Sequence, residues 1–197
     1  MKKIFFFFAV AAGLASCADN TKKLIVFTHD HPAINEEAKT FACKDTLGHD
    51  VSNVTYNVAG AINLSVSTKA GDATIAIPDN GYYIVNLKNN DTIIGSAQSY
   101  STPAQAGKVI TQADLKIKID SLELLVQGKN INVANHNYFI LPNAAVKITD
   151  NVDAIIVTPY NQLPAIELKD GKVPEVYKFY TIHEVREIIE KLKGLTK

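Results

Sequence analysis

Tryptophan is absent from the chain, methionine occurs once, and cysteine occurs only at Cys17 and Cys43. Four of the eight phenylalanines fall within the first eight residues. The rest of the chain therefore packs with Val, Ile, Leu, Ala and eight tyrosines, a palette suited to thin sheet layers rather than a deep aromatic pocket. Neither sign of charge is in surplus, with 20 basic side chains against 20 acidic ones. Lacking a basic excess to neutralise phosphates, the chain is not expected to bind nucleic acid. Only one long apolar run occurs, Ile4 to Leu14, 11 residues. A membrane-spanning helix needs about 20. No Gly-x-Ser-x-Gly elbow, phosphate-cradling glycine loop, dinucleotide fingerprint or internal repeat is found, and no cofactor is implied.

What is present begins at the N-terminus. Met1-Lys2-Lys3, the short apolar run and the small residues after it have the layout of a secretory signal peptide. The tetrad Leu14-Ala15-Ser16-Cys17 resembles the lipobox of bacterial lipoproteins. This resemblance covers residues 1–17 only. It implies a signal peptide over residues 1–16, a diacylglycerol thioether on Cys17, cleavage before Cys17 and a lipidated tether over residues 17–23. Stable anchoring takes two acyl chains, and such a cysteine supplies at least two. The alternative is ordinary cleavage after Ala18, reading Ser16-x-Ala18, which would discard Cys17 and free the protein. Gram-negative sorting retains a lipoprotein in the inner membrane when Asp follows the cysteine; Ala18 stands there, which implies the outer membrane.

Cleavage before Cys17 removes Lys2 and Lys3 and leaves 181 residues with 18 basic against 20 acidic side chains. That length buries a real core. With Cys17 lipidated, Cys43 has no partner for an intramolecular disulfide. It reads as a small buried hydrophobe, with a nucleophile as the alternative.

The spacing predicts a strand at Leu24–Phe27 and a helix over Ala33–Ala42 opened by Pro32. From Val54 to Ala97 the apolar period is two. Strands are expected at Val54–Val58, Ile62–Val66 and Ala73–Ile77, then Tyr82–Leu87 and Thr92–Ala97 joined as a hairpin through Lys88-Asn89-Asn90-Asp91. Ser99 to Gly107 reads as a linker. Thr111 and Asp114 resemble a capping pair opening a helix whose stripe is Leu115, Ile119, Leu122 and Val126, stopped by Gly128. Short strands follow at Tyr138–Leu141, Ala145–Ile148 and Ala154–Val157. Ala165–Leu168 and Val173–Tyr180 would pair through Asp170-Gly171. Thr181 and Glu184 form a second capping box, opening a helix with Ile182, Val185, Ile188, Ile189 and Leu192 on one face. The expected fold is α+β: mainly antiparallel sheet of short strands, with two or three helices including a C-terminal amphipathic one. Regions 24–98 and 108–197 form one domain or two.

Candidate chemistry is sparse. His29-Asp30-His31 is the densest cluster of metal-type ligands, and a His-x-His pair at a strand's end can donate two imidazoles to zinc. The ordinary alternative is a polar loop. His183-Glu184-Val185-Arg186-Glu187 departs from the zincin helix motif, because Glu187 stands where the second His is required. Tyr82, Tyr83, Tyr177 and Tyr180, with Phe179, would supply aromatic rings for a sugar or peptide if they lay on an exposed sheet face. The Asn-rich stretch from Asn130 to Asn137 is a surface loop first and a binding loop second. The leading expectation is a membrane-tethered envelope lipoprotein that docks an envelope protein or a glycan. The alternative is a small metal- or cysteine-dependent hydrolase. Its distinguishing feature would be a pocket joining His29, His31 or Cys43 to His49, His136 or His183.

Overall fold

The computed structural model describes residues 20–44, 47–99, 110–131, 134, 136–163, 165 and 173–196. The signal peptide, Cys17, nearly all of the linker and the expected pairing through Asp170-Gly171 lie outside these residues. Among the described residues the fold is α+β, with three mostly antiparallel four-stranded sheets and two helices.

The apolar run Leu24–Phe27 sits within β1 (Thr21–Thr28). A strand apolar on both faces belongs inside a stack, and β1 occupies an inner position of the central sheet. That sheet also holds β4 (Asp50–Asn57), β7 (Gly81–Asn86) and β10 (Ala144–Thr149), in the order β10-β7-β1-β4. Leu24 and Val26 face a core shared with the outer sheet, while Ile25 and Phe27 face a second core shared with a third sheet.

The outer sheet is ordered β2-β3-β5-β6, from β2 (Ala33–Asn35), β3 (Thr40–Ala42), β5 (Ile62–Thr68) and β6 (Gly71–Ile77). Its alternation is as the sequence reads: Ile62, Leu64, Val66, Ile75 and Ile77 are buried, and the residues between them point outward. The helix expected over Ala33–Ala42 is a hairpin instead. Asn35 Oδ1 accepts the Ala38 N–H at 3.0 Å and Lys39 takes φ +54°, so the chain turns at Glu36–Lys39. Ile34 then lies opposite Phe41 across the strands. Apolar spacing over ten residues suits both shapes, and turn chemistry together with a neighbouring strand decides it.

The third sheet is ordered β11-β12-β8-β9, from β8 (Ile93–Ala97), β9 (Asn137–Ile140), β11 (Ile155–Val157) and β12 (Val176–Thr181). The expected hairpin between Tyr82–Leu87 and Thr92–Ala97 is also corrected. β7 ends in the central sheet and β8 begins in the third, so residues 87–92 cross between layers. Strands from both sides of the linker share these two sheets. Helices α1 (Gln112–Val126) and α2 (Ile182–Gly194) cover the far face of the third sheet around Ile94, Ile119, Leu125, Val185 and Ile189. Both expected capping boxes are formed. Among the described residues no helix is long and apolar enough to cross a membrane.

Each sheet contains one parallel pair: β1 with β7, β3 with β5, and β11 with β12. Parallel strands end on the same side, so the loops leaving them cluster. Two of these pairs, in adjacent sheets, feed one cleft.

Candidate functional site

His29 follows β1, Lys88 and Asp91 follow β7, Tyr160 follows β11, and His183 opens α2 just after β12. Gly48 and His49 precede β4, which runs antiparallel to β1 and therefore starts at that same end. Together with Leu47 and Asn90, these residues line an open cleft of about 500 Å³.

One buried amide organises its floor. Asn86 is fully buried; its Nδ2 donates to the carbonyls of Asp91 at 2.9 Å and Ile140 at 3.1 Å. Its Oδ1 accepts the Lys88 N–H at 3.1 Å. The loop is thereby fixed to the end of β9, and it presents Lys88 and Asp91 as a pair 3.3 Å apart. The Lys88 side chain is only 3% exposed. A buried ammonium needs such a partner, because desolvation otherwise penalises its charge.

Gly48 brings the next wall close. It adopts φ +104°, and a Cβ there would stand 2.5 Å from the His29 carbonyl oxygen. The Gly48 carbonyl lies 3.3 Å from His29 Nδ1. A carbonyl only accepts, so Nδ1 is the donor of this contact. His29 is buried, and its Nε2 has no hydrogen-bond partner. His49 stacks on Phe27 with centroids 5.9 Å apart and meets the Tyr160 ring edge-on at 5.1 Å. Neither of its ring nitrogens has a partner.

Burial, and then the Lys88 ammonium, hold the His49 pKa below its ordinary 6.5, against weaker opposite pulls from Glu184, Asp91 and Asp50. The folded protein therefore resists protonating His49 more than the unfolded chain does. This contribution to stability is complete above pH 6.5 and is lost as the pH falls from there through the depressed folded value. Urea midpoints measured between pH 7.5 and 5 should fall, and His49→Leu should flatten that slope.

Tyr160 forms the rim. It is 59% exposed and held at φ +64°, a left-handed conformation that costs a bulky side chain about 1 to 2 kcal/mol. Its N–H donates to Glu184 Oε1 at 2.7 Å, while Glu184 Oε2 accepts the Thr181 N–H at 2.8 Å in the capping box. The chain just before it is held by Lys178, whose Nζ donates to the Thr158 carbonyl at 2.7 Å and lies 4.6 Å from the Tyr180 ring centroid. Strain retained at an exposed aromatic residue beside a cleft points to use of that ring.

The sequence candidates divide. His29 lines the cleft with His49 and His183, whereas His31 is exposed and meets Asp50 at 3.1 Å. Among the described residues no group of three or more His, Cys, Asp or Glu is arranged to hold a metal ion. Tyr83 and Tyr177 are buried; the Tyr83 hydroxyl donates to the Asp79 carbonyl at 3.1 Å, and that of Tyr177 donates to Glu175. Tyr82 packs partly buried against the second core, and Tyr180 beneath the helices. Tyr83 and Tyr177 are thus structural rings, while Tyr82 and Tyr180 stay half-buried. His136 lies away from the cleft, its ring 6.4 Å from that of Tyr177.

Cys43 packs in the core between the central and outer sheets. Burial and the Asp30 carboxylate push its thiol up to about 11. The thiolate is the reactive form, so native protein should stay unlabelled by a bulky disulfide reagent at pH 8 and react only on unfolding. Fast native labelling would revive the nucleophile.

The composite floor escapes a linear reading because Asn86, Lys88 and Asp91 look like a turn until the layers are stacked. The available signal was a single polar residue, Asn86, between Val85 and Leu87 in an otherwise apolar strand. Compared with protein-family models, curated proteins and solved structures, the chain matches none.

Proposed function

We propose that the chain is a lipoprotein of the bacterial envelope, anchored through Cys17, whose body is a binding module acting through the His49–Tyr160 cleft. The observation that carries the binding reading is the strained, exposed Tyr160 above a floor prepared by Asn86, Lys88 and Asp91. The lipobox supports the anchor, and Ala18 favours the outer membrane. Four residue steps from Cys17 to Thr21 reach at most about 14 Å, so a lipid on Cys17 keeps β1 close to the bilayer surface. Tethering of this kind raises the effective concentration of the module for neighbours in the same layer. Those neighbours are an envelope protein or a glycan.

Two measurements test the proposal. Intact mass of the mature chain should give Cys17 with its acyl chains; a chain starting at Asp19 without lipid removes the anchor. In-cell crosslinking of the full-length protein should recover an envelope component, and Tyr160→Asn, which tolerates positive φ, should lose it. Recovery of the same component by that variant counts against the cleft.

The three imidazoles at the cleft also favour a second reading, a hydrolase using His49 as base. Cleavage of a chromogenic ester that His49→Leu abolishes would support it.

A further inference from the structure

The floor of the cleft pairs its ammonium with a carboxylate and has further acids nearby, and that constrains what it takes. Lys88 is matched by Asp91, and the carboxylates of Asp50 and Glu184 also act on His49. An anion entering here meets these acids. A metal ion finds no set of three ligands among the described residues, and the Lys88 ammonium stands against it. A protein partner would seek an apolar, dehydrated anchor pocket, because buried aromatic and aliphatic anchors carry most interface energy. The apolar side chains of this cleft, Leu47 and Tyr160, lie 82% and 59% exposed on its rim, over a polar floor.

From this paired floor we infer that the cleft binds a neutral, hydroxyl-rich saccharide. The inference rests on the binding-module reading above and names the ligand class for the same site. A hydroxyl both donates and accepts, so two adjacent hydroxyls suit an ammonium and a carboxylate held 3.3 Å apart. The Asn90 amide, exposed at the mouth, offers a further donor and acceptor. The exposed Tyr160 ring at the rim, held at its hydroxyl by Thr181 Oγ1, offers an apolar platform for the C–H surface of a sugar ring. His29, more than nine-tenths buried with an unpartnered Nε2, and His49, with two unpartnered nitrogens, hold polar capacity beneath that platform. Both rings line the same cleft as the strained tyrosine.

The test is an array of neutral oligosaccharides printed beside sialylated and sulfated ones, probed with the full-length lipidated protein in detergent. Wild type is compared with Tyr160→Asn, Asn90→Ala and Ile117→Ser, the last on the exposed side of α1. The expected result is binding to neutral oligosaccharides, roughly tenfold weaker for Tyr160→Asn and Asn90→Ala, and unchanged for Ile117→Ser. Binding confined to acidic sugars, or binding that both cleft variants keep in full, overturns the inference. Silence across the array overturns it too, and the crosslinking experiment then separates the two levels. An envelope protein lost with Tyr160→Asn leaves the cleft as a binding site for protein; recovery of nothing removes the cleft reading as well.

Discussion

Replacing Asn86 by Asp should destabilise the protein by about 3 kcal/mol or more, although the two side chains have nearly the same shape. The fully buried amide donates to the carbonyls of Asp91 and Ile140 and accepts the Lys88 N–H. Aspartate keeps the acceptor and exchanges the donor for a second oxygen. Two buried carbonyls then face a carboxylate, and the loop between the central and third sheets loses its clamp. Asn86→Ala should cost less, about 2 kcal/mol, because it leaves backbone groups unpaired but adds no buried charge. Urea unfolding monitored by tyrosine fluorescence gives both values. Equal stability of Asn86→Asp and wild type would show that the amide is not the clamp.

This residue also shows where reading the sequence stops. Period-two alternation exposed β5 and β6, since one face of each is wet and side chains alone report it. Both helix starts were legible because a capping box is complete within four residues: Thr111 with Asp114, and Thr181 with Glu184. The failures came where longer-range partners decide. Ala33–Ala42 has helical spacing, but β5 pairs with Thr40–Ala42 and draws the segment into a hairpin edge. Lys88–Asp91 has turn chemistry, which says nothing about the two sheets that the turn connects.

The cleft is assembled from segments that meet only because two parallel pairs end on one side. His29 was visible as a polar residue after a strand, and His49 and His183 as possible pocket partners. Tyr160 carried only the faint sign of Pro159 before it: its positive φ belongs to a turn that the Asn161 N–H closes on the Thr158 carbonyl, and Glu184 of the next helix accepts the Tyr160 N–H. The tyrosines that drew notice, Tyr83 and Tyr177, are core residues. Aromatic residues in alternating strands do not declare which face is covered, and here each face of the central sheet is packed against another layer.

Gly95→Ala should be the other severe substitution, costing about 3 kcal/mol through overpacking. Gly95 lies opposite Phe179 across β8 and β12, and a Cβ at residue 95 would stand 2.2 Å from Cδ1 and 2.3 Å from Cε1 of the Phe179 ring. That ring cannot simply swing away: it is fully buried, and Tyr138 closes one side with centroids 5.9 Å apart. A glycine within a strand often marks such a close approach, and here it makes room for the Phe179 ring between the third and central sheets. Phe179→Leu alone should also destabilise, by about 1 to 2 kcal/mol, through the space it opens. The two changes should not add. A leucine yields room where the new methyl needs it, so the double variant should be more stable than the sum of the single costs predicts, by about 1 kcal/mol or more. A double-mutant cycle from urea midpoints measures this coupling. Strict additivity would mean that the strand itself, and not the ring above it, sets the requirement for glycine.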